Sequence, residues 1–252
     1  MVETSSDDIL RNADGVDVAF LVVGDPLGAT THTDLLLRAR TQGIPTRTIH
    51  NASILTAIGA TGLQLYNFGQ TVSMVFFTET WRPGSWWSRV KENSELGLHT
   101  LVLLDIKVKE VDFDEIARRG GWGKRRVIDD RYVDDEDGTT LGGYKKPRFM
   151  TVMECAGQMI EIDEERVRDG EGGDVCGKDR LAVGVGRVGT ETQRIVVGTL
   201  AELAETDLGP PLHSLVVVGR RCHELERDFV REFAVNKGTF DRAWERGGYG
   251  KM

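Results

Sequence analysis

Unbroken apolar runs alternate with amphipathic stretches along the first hundred residues. Val18-Ala-Phe-Leu-Val-Val23 is apolar at every position. A strand covered by helices on both faces reads this way, whereas a strand with one face in water alternates. The pattern predicts a strand over 17–23. Gly24-Asp25-Pro26 ends it, because proline fixes φ and removes an N–H donor. The period then changes. Leu35, Leu36, Leu37 and Ala39 predict a helix over about 31–42, with Thr30, Thr31 or Thr33 as cap and Gly43-Ile-Pro45 as stop. A short strand over 46–50 follows. Asn51 or Ser53 caps a second helix, residues 71–77 form a third strand, and Trp81-Arg-Pro-Gly84 leads into a helix that ends by Gly97. Thr100 to Leu104 is a fourth apolar strand, closed by Asp105. This β-α-β-α-β-α-β alternation predicts a parallel or mostly parallel sheet with right-handed crossovers.

Beyond residue 106 the pattern breaks. A basic, Gly-rich run (Arg118–Arg126) meets an acidic one (Asp129–Asp137), and residues 118–146 read as a mobile surface insertion. Regular structure resumes at Arg148. Thr151 caps a helix whose apolar face carries Val152, Met153, Ala156, Met159 and Ile160. Strands follow over 181–188 and 194–197, then a short helix over 199–205. A strong strand runs over 212–218, and a helix starts at His223. Two close strands before a short helix indicate a hairpin in a mixed sheet. The tail from about 236 is rich in Lys, Arg and Gly and reads as frayed. The fold class is α/β. The expected division is an N-terminal α/β domain over 1–106, a linker with the charged insertion over 107–148, a C-terminal α/β domain over 149–234 and a flexible tail over 235–252.

Composition narrows the function classes. The 252 residues are 40% hydrophobic, enough for a sizeable core. No apolar run approaches the roughly 20 residues of a membrane helix. The first residues, Met-Val-Glu-Thr-Ser-Ser-Asp-Asp, are acidic and resemble neither a signal nor a transit peptide. A net charge of −8 argues against direct nucleic-acid binding. Cys155, Cys176 and Cys222 make no CxxC, so neither a disulfide framework nor a zinc site is indicated, and a reducing cytoplasm is the expected compartment.

Candidate chemistry gathers at strand ends. Asp25, the pair His50 and Asn51, and Asp105 each follow a predicted strand, where ligands of open α/β sheets sit. Gly184-Val-Gly-Arg-Val-Gly189 matches G-x-G-x-x-G, but strand rather than helix follows, so a hairpin turn is the better reading. His213 lies in an apolar run, and by residue type alone reads as a core histidine satisfied by backbone. Cys155, on an amphipathic helix, reads as a packing thiol, and Trp81, Trp86 and Trp87 read as core or edge packing. These residues describe a two-module α/β protein with a ligand cleft, without naming a reaction.

Longer words are more specific. Phe20-Leu-Val-Val-Gly-Asp-Pro-Leu-Gly-Ala-Thr-Thr-His-Thr-Asp-Leu-Leu36, with its Gly24-Asp-Pro-Leu-Gly28 centre, resembles diphthine synthases, a family of tetrapyrrole-methylase-like methyltransferases. So do His50-Asn-Ala-Ser-Ile54, Gly62-Leu-Gln-Leu-Tyr-Asn-Phe-Gly69, Thr80-Trp-Arg-Pro83, Leu103-Leu-Asp105, Gly186-Arg-Val-Gly189 and Asp207-Leu-Gly-Pro-Pro-Leu-His-Ser-Leu215. The words run collinearly over most of residues 7–220.

The resemblance implies two α/β domains with S-adenosylmethionine folded up in the cleft between them, and a homodimer. It implies methylation of a modified histidine on translation elongation factor 2, an intermediate of diphthamide, on both its amine and its carboxylate, giving a methyl ester. Carried over by motif, Asp25, Gly28, Ser53, Ile54 and Leu104 line the donor site from the first domain, and Val188 and His213 close it from the second. No metal is implied, and no general base. Family members begin with a strand and a Gly-Leu-Gly-Leu-type loop that this chain lacks, so its first domain is expected to be N-terminally truncated, and the linker is longer than the family's. Two other readings stay open: a methylase of the same superfamily acting on a small molecule, and a partner-binding chain without the donor.

Overall fold

The computed structural model describes residues 2–108, 110–112, 144–171 and 175–251. The strands, in chain order, are β1 (Val72–Met74), β2 (Thr100–Leu104), β3 (Ile106–Lys107), β4 (Arg148–Phe149), β5 (Leu181–Gly186), β6 (Arg194–Thr199) and β7 (His213–Val217). The helices are α1 (Val2–Leu10), α2 (His32–Thr41), α3 (Ile54–Ala57), α4 (Ser85–Glu95), α5 (Val152–Arg168), α6 (Leu200–Leu203), α7 (Glu224–Arg231) and α8 (Lys237–Gly247). Short 3-10 turns lie at Ile58–Thr61 and Leu65–Asn67.

The chain divides into two units, Met1–Leu65 and Tyr66–Met252. The larger holds a five-stranded sheet in the order β1-β2-β7-β5-β6, and β3 pairs separately with β4. Only β1 and β2 run parallel; β2–β7, β7–β5 and β5–β6 are antiparallel. The expectation of a mostly parallel sheet is therefore corrected to a mixed one, and the expected boundary at 106 runs through it. The reason is that β2 takes β7 as its next neighbour, about a hundred residues on, with Leu103 opposite Ser214. Apolar runs report burial, not partner or direction.

Burial in this sheet follows from those runs. β5 and β7 are buried at every position. α5 packs against β7, and α8 packs against β5 and β6. One core gathers Met74, Trp86, Trp87, Val90, Val102, Met159, Leu200 and Leu215. Trp87 Nε1 donates to the buried Asp163 Oδ1 at 2.8 Å, whereas Trp81 is 52% exposed. Thr151 caps α5 as its spacing implies: it accepts from Glu154 N at 3.1 Å while the Glu154 carboxylate reaches back to Thr151 N at 2.8 Å.

The C-terminal stretch is a correction. It is not frayed but forms α8, capped by Asn236 Oδ1, which accepts from Thr239 N at 2.9 Å. Phe240, Ala243 and Trp244, at helical spacing, are buried. The surrounding Lys, Arg and Gly hid this apolar stripe from a reading by composition. Tyr249 stacks on Trp244, and its hydroxyl accepts from Leu181 N at 3.1 Å.

The smaller unit contains α1, α2 and α3, with a core of Leu10, Leu35 and Ala39 flanked by Ile9 and Ile44. Here two strand expectations fail. Residues 17–23 and 46–50 have no ladder partner among the described residues, and Leu21 and Val23 are 90% and 105% exposed. A strand exists only where a neighbour takes its N–H and C=O groups. Thr31 holds the cap position of α2 but makes no side-chain cap bond; His32 instead reaches Pro26 O through Nδ1, at 2.7 Å. The charged stretch at 118–146 lies outside the described residues, except for its last three.

Candidate functional site

In the smaller unit the loops that follow residues 17–23 and 46–50 are bonded together. Asp25 N donates to Ala52 O at 2.8 Å. Its carboxylate accepts from three groups: Leu27 N at 2.8 Å on Oδ1, and His50 Nδ1 at 2.9 Å and Asn51 N at 3.2 Å on Oδ2. These bonds hold the Asp25 carboxyl below its ordinary pKa, the Leu27 amide first and His50 second. Gly24 has φ +85°, a left-handed value that favours glycine, and a Cβ there would stand 3.2 Å from Ala52 O. A Cβ on Gly28 would stand 3.0 Å from Ser53 Oγ. Ser53 caps α3 by accepting from Leu55 N at 3.3 Å, and Ile54 begins that helix. Asp25, Gly28, Ser53 and Ile54 thus share one small assembly of two loops. It presents a fixed carboxylate, a serine hydroxyl and closely spaced backbone.

The other three residues share one rim of the five-stranded sheet. Leu104 ends β2. His213 begins β7, one step beyond the Leu103–Ser214 pair, and pairs with Gly186 at the end of β5. Val188 stands two residues further, in the turn to β6. That turn is the hairpin expected of Gly184–Gly189, with Arg187 at φ +52° and Gly189 at φ +82°. Asp105 Oδ2 accepts from Phe76 N at 3.1 Å, tying the ends of β1 and β2 together.

His213 is 8% exposed. Its Nε2 donates to Pro210 O at 3.0 Å, and its Nδ1 accepts from Val152 N at 3.4 Å. Both ring nitrogens are therefore used by the neutral imidazole. Burial pushes its pKa down, and Arg187 pushes the same way.

Arg187 was missed by sequence reasoning. Its guanidinium reaches Leu208 O at 3.0 Å, Pro210 O, and Thr192 O at 3.0 Å. Its N–H donates to Leu212 O at 2.9 Å. It pins the 207–212 loop beside His213. Its place inside Gly-Arg-Val-Gly was the available signal: a bulky residue between glycines of a turn.

A cluster of another kind lies at the opposite end of β2 and β7. His99, Cys222 and Glu226 are buried together, with ligand-type atoms within 4.8 Å. Gly219 N donates to His99 Nδ1 at 2.9 Å, so the proton sits on Nε2, which faces Glu226 Oε1 at 3.2 Å. A metal ion would need that nitrogen bare. The trio therefore reads as a buried hydrogen-bonded pair beside a thiol whose pKa burial raises. Cys155 is likewise buried, its thiol pushed up by desolvation, as suits packing rather than nucleophilic attack.

A sequence profile of the tetrapyrrole (corrin/porphyrin) methylases matches residues 4–120. A diphthine methyl ester synthase of Emericella nidulans is 60% identical over 250 residues, which is 99% of this chain and 79% of that protein. That of Saccharomyces cerevisiae is 51% identical over 242 residues, 96% of this chain and 72% of that protein. The chain belongs to the diphthine methyl ester synthase family. It is thereby a methyltransferase. Solved structures agree: a crystal structure of diphthine synthase aligns with TM-score 0.69 at 28% identity, covering 96% of this chain and 75% of that one. An Entamoeba histolytica homologue aligns with TM-score 0.72 at 38% identity, covering 91% and 76%. Among the described residues no helix is long and apolar enough to cross a membrane.

Proposed function

We propose that this protein transfers methyl groups from S-adenosylmethionine to the modified histidine of translation elongation factor 2 in diphthamide biosynthesis, giving diphthine methyl ester. The observation that carries the reading is similarity to diphthine methyl ester synthases over 96–99% of the chain. The two-loop assembly around Asp25 and, separately, the sheet rim at Leu104, Val188 and His213 support it.

The donor carries a methyl group already activated on a sulfonium, so the protein needs no nucleophile of its own. Its residues must bind, align and exclude water. Asp25 holds a carboxylate in place before any ligand arrives, suited to a hydroxyl or amine of the donor. Gly28 keeps the loop close to Ser53, so that Ser53 and Ile54 can meet the donor without a side chain between. From the larger unit the family resemblance assigns Leu104 and Val188 to the donor as apolar contacts, and His213, whose pKa burial lowers, as a ring without a charge. A neutral wall suits a cationic sulfonium, because a second cation beside it would repel. The reading includes a homodimer and action in the cytoplasm, where elongation factor 2 works.

The test is direct. The full chain is incubated with methyl-labelled S-adenosylmethionine and elongation factor 2 bearing the unmethylated intermediate, and label on the factor is measured by mass spectrometry. Methylated amine and then ester are expected. A factor left unlabelled under conditions where a Saccharomyces cerevisiae relative labels it overturns the reading.

A further inference from the structure

We infer that His50 is the proton acceptor for methylation of the amine, oriented for that role by Asp25. The inference rests on the methyltransferase function proposed above.

Asp25 Oδ2 already takes the Asn51 N–H, and it faces His50 Nδ1 at 2.9 Å. A carboxylate only accepts, so Nδ1 carries the proton and the lone pair of neutral His50 lies on Nε2. The Asp25 side chain is 13% exposed and that of His50 70%. The couple thus has an inner, fixed end and an outer end with a basic nitrogen. Leu27 N holds the other carboxylate oxygen, so Asp25 cannot swing away from the ring without giving up a second bond. Among the described residues, Asp25 is the charged group in contact with His50. His32, the other histidine of this unit, instead turns its Nδ1 to Pro26 O.

The chemistry requires such a group for one of the two acceptors only. A primary amine is an ammonium at neutral pH and has no lone pair to give. A carboxylate is already ionised and needs no base. In the N-methyl step His50 Nε2 takes a proton from the ammonium, and the freed nitrogen pair forms the new bond to the methyl carbon. The carbon–sulfur bond breaks with its electrons left on sulfur. His50 then returns its proton to solvent, which it can reach because it is exposed. Asp25 stabilises the imidazolium formed in between. His213 cannot serve, since its Nδ1 takes the Val152 N–H and its Nε2 proton is given to Pro210 O.

The experiment compares the wild-type chain with His50→Gln on two substrates: elongation factor 2 with the unmethylated amine, and the factor with its amine already fully methylated. At pH 7 the variant should lose at least about 100-fold in N-methylation and keep ester formation on the second substrate within twofold. The N-methylation deficit should shrink as pH rises toward the pKa of the amine, where solvent deprotonates it unaided. Calorimetry should find donor affinity within twofold of wild type. Histidine-selective ¹⁵N NMR of the ligand-free protein should show His50 protonated on Nδ1, and Asp25→Asn should weaken that tautomer. N-methylation by His50→Gln at the wild-type rate overturns the inference. So does an equal loss on both substrates, which would mark a merely structural role, or an Nε2-protonated His50. Wild-type protein that methylates neither substrate overturns the proposed function itself, and this inference with it.

Discussion

Gly28 stands against Ser53, so that a Cβ on the glycine would lie 3.0 Å from the serine Oγ. That hydroxyl caps α3 through Leu55 N, and the contact therefore couples loop spacing to a helix start. Gly28→Ala should push the hydroxyl off its bond and cost about 1 kcal/mol, the usual worth of a serine cap. Ser53→Ala alone should cost a similar amount. Together they should cost clearly less than the sum, because the methyl group then meets no hydroxyl. Urea unfolding of the four proteins gives the cycle; full additivity would show that the two residues do not interact.

His213 gives a pH dependence with a definite sign. Its folded pKa is depressed, by burial first, while an unfolded histidine titrates near 6.5. The unfolded chain therefore takes the proton first as pH falls. The stabilisation from neutral His213 is present above about pH 6.5, declines as pH drops below it, and levels off below the folded pKa. Protonation would also turn an Nδ1 proton toward Val152 N–H. In urea denaturation between pH 5 and 8, His213→Asn should be less stable than wild type at pH 8, with the gap narrowing toward pH 5. A gap that widens on acidification contradicts the assignment.

Arg187 should matter more than its place in a surface turn suggests. It sits at φ +52° and uses its fork on the carbonyls of Leu208, Pro210 and Thr192. Arg187→Ala leaves those carbonyls without their donor and frees the loop before His213. A loss of about 1–3 kcal/mol is expected, together with weaker donor binding. Arg187→Lys should recover little, since one ammonium cannot reproduce a planar fork. Thermal unfolding and calorimetric titration with S-adenosylmethionine check both parts.

How legible the chain was depends on what each signal encodes. β2 and β7 emerged nearly to the residue because apolar runs closed by polar residues mark buried strands; β7 is buried throughout and β2 over its first three residues. Thr151 was legible because a capping box is local chemistry. Residues 17–23 carry the same apolar signal yet form no strand, since pairing needs a partner that hydropathy does not name. α8 was hidden because its apolar stripe lies among residues typical of tails. Of the candidate site, Asp25 and His50 were expected at strand ends, but the residues before them form no strand, and their bond could not be foreseen: 25 residues separate them, and the Asp25 N to Ala52 O bond ties their loops together.

The His99, Cys222 and Glu226 trio supplies the last prediction. Three ligand types in one buried cluster suggest a metal by composition, yet Gly219 N–H holds the proton on the wrong nitrogen. Binding zinc at Nε2 would mean giving up that backbone bond, breaking the pair with Glu226 and ionising a thiol that burial keeps protonated. Zinc at tenfold excess should therefore not raise the unfolding temperature. Glu226→Ala should destabilise by about 2 kcal/mol or more, because it strands the His99 N–H and also removes the carboxylate that caps α7 at His223 N, 2.7 Å away. Glu226→Gln retains an acceptor oxygen and should cost less. A zinc-dependent rise in unfolding temperature that disappears in Cys222→Ser would show that the backbone bond yields to the metal after all.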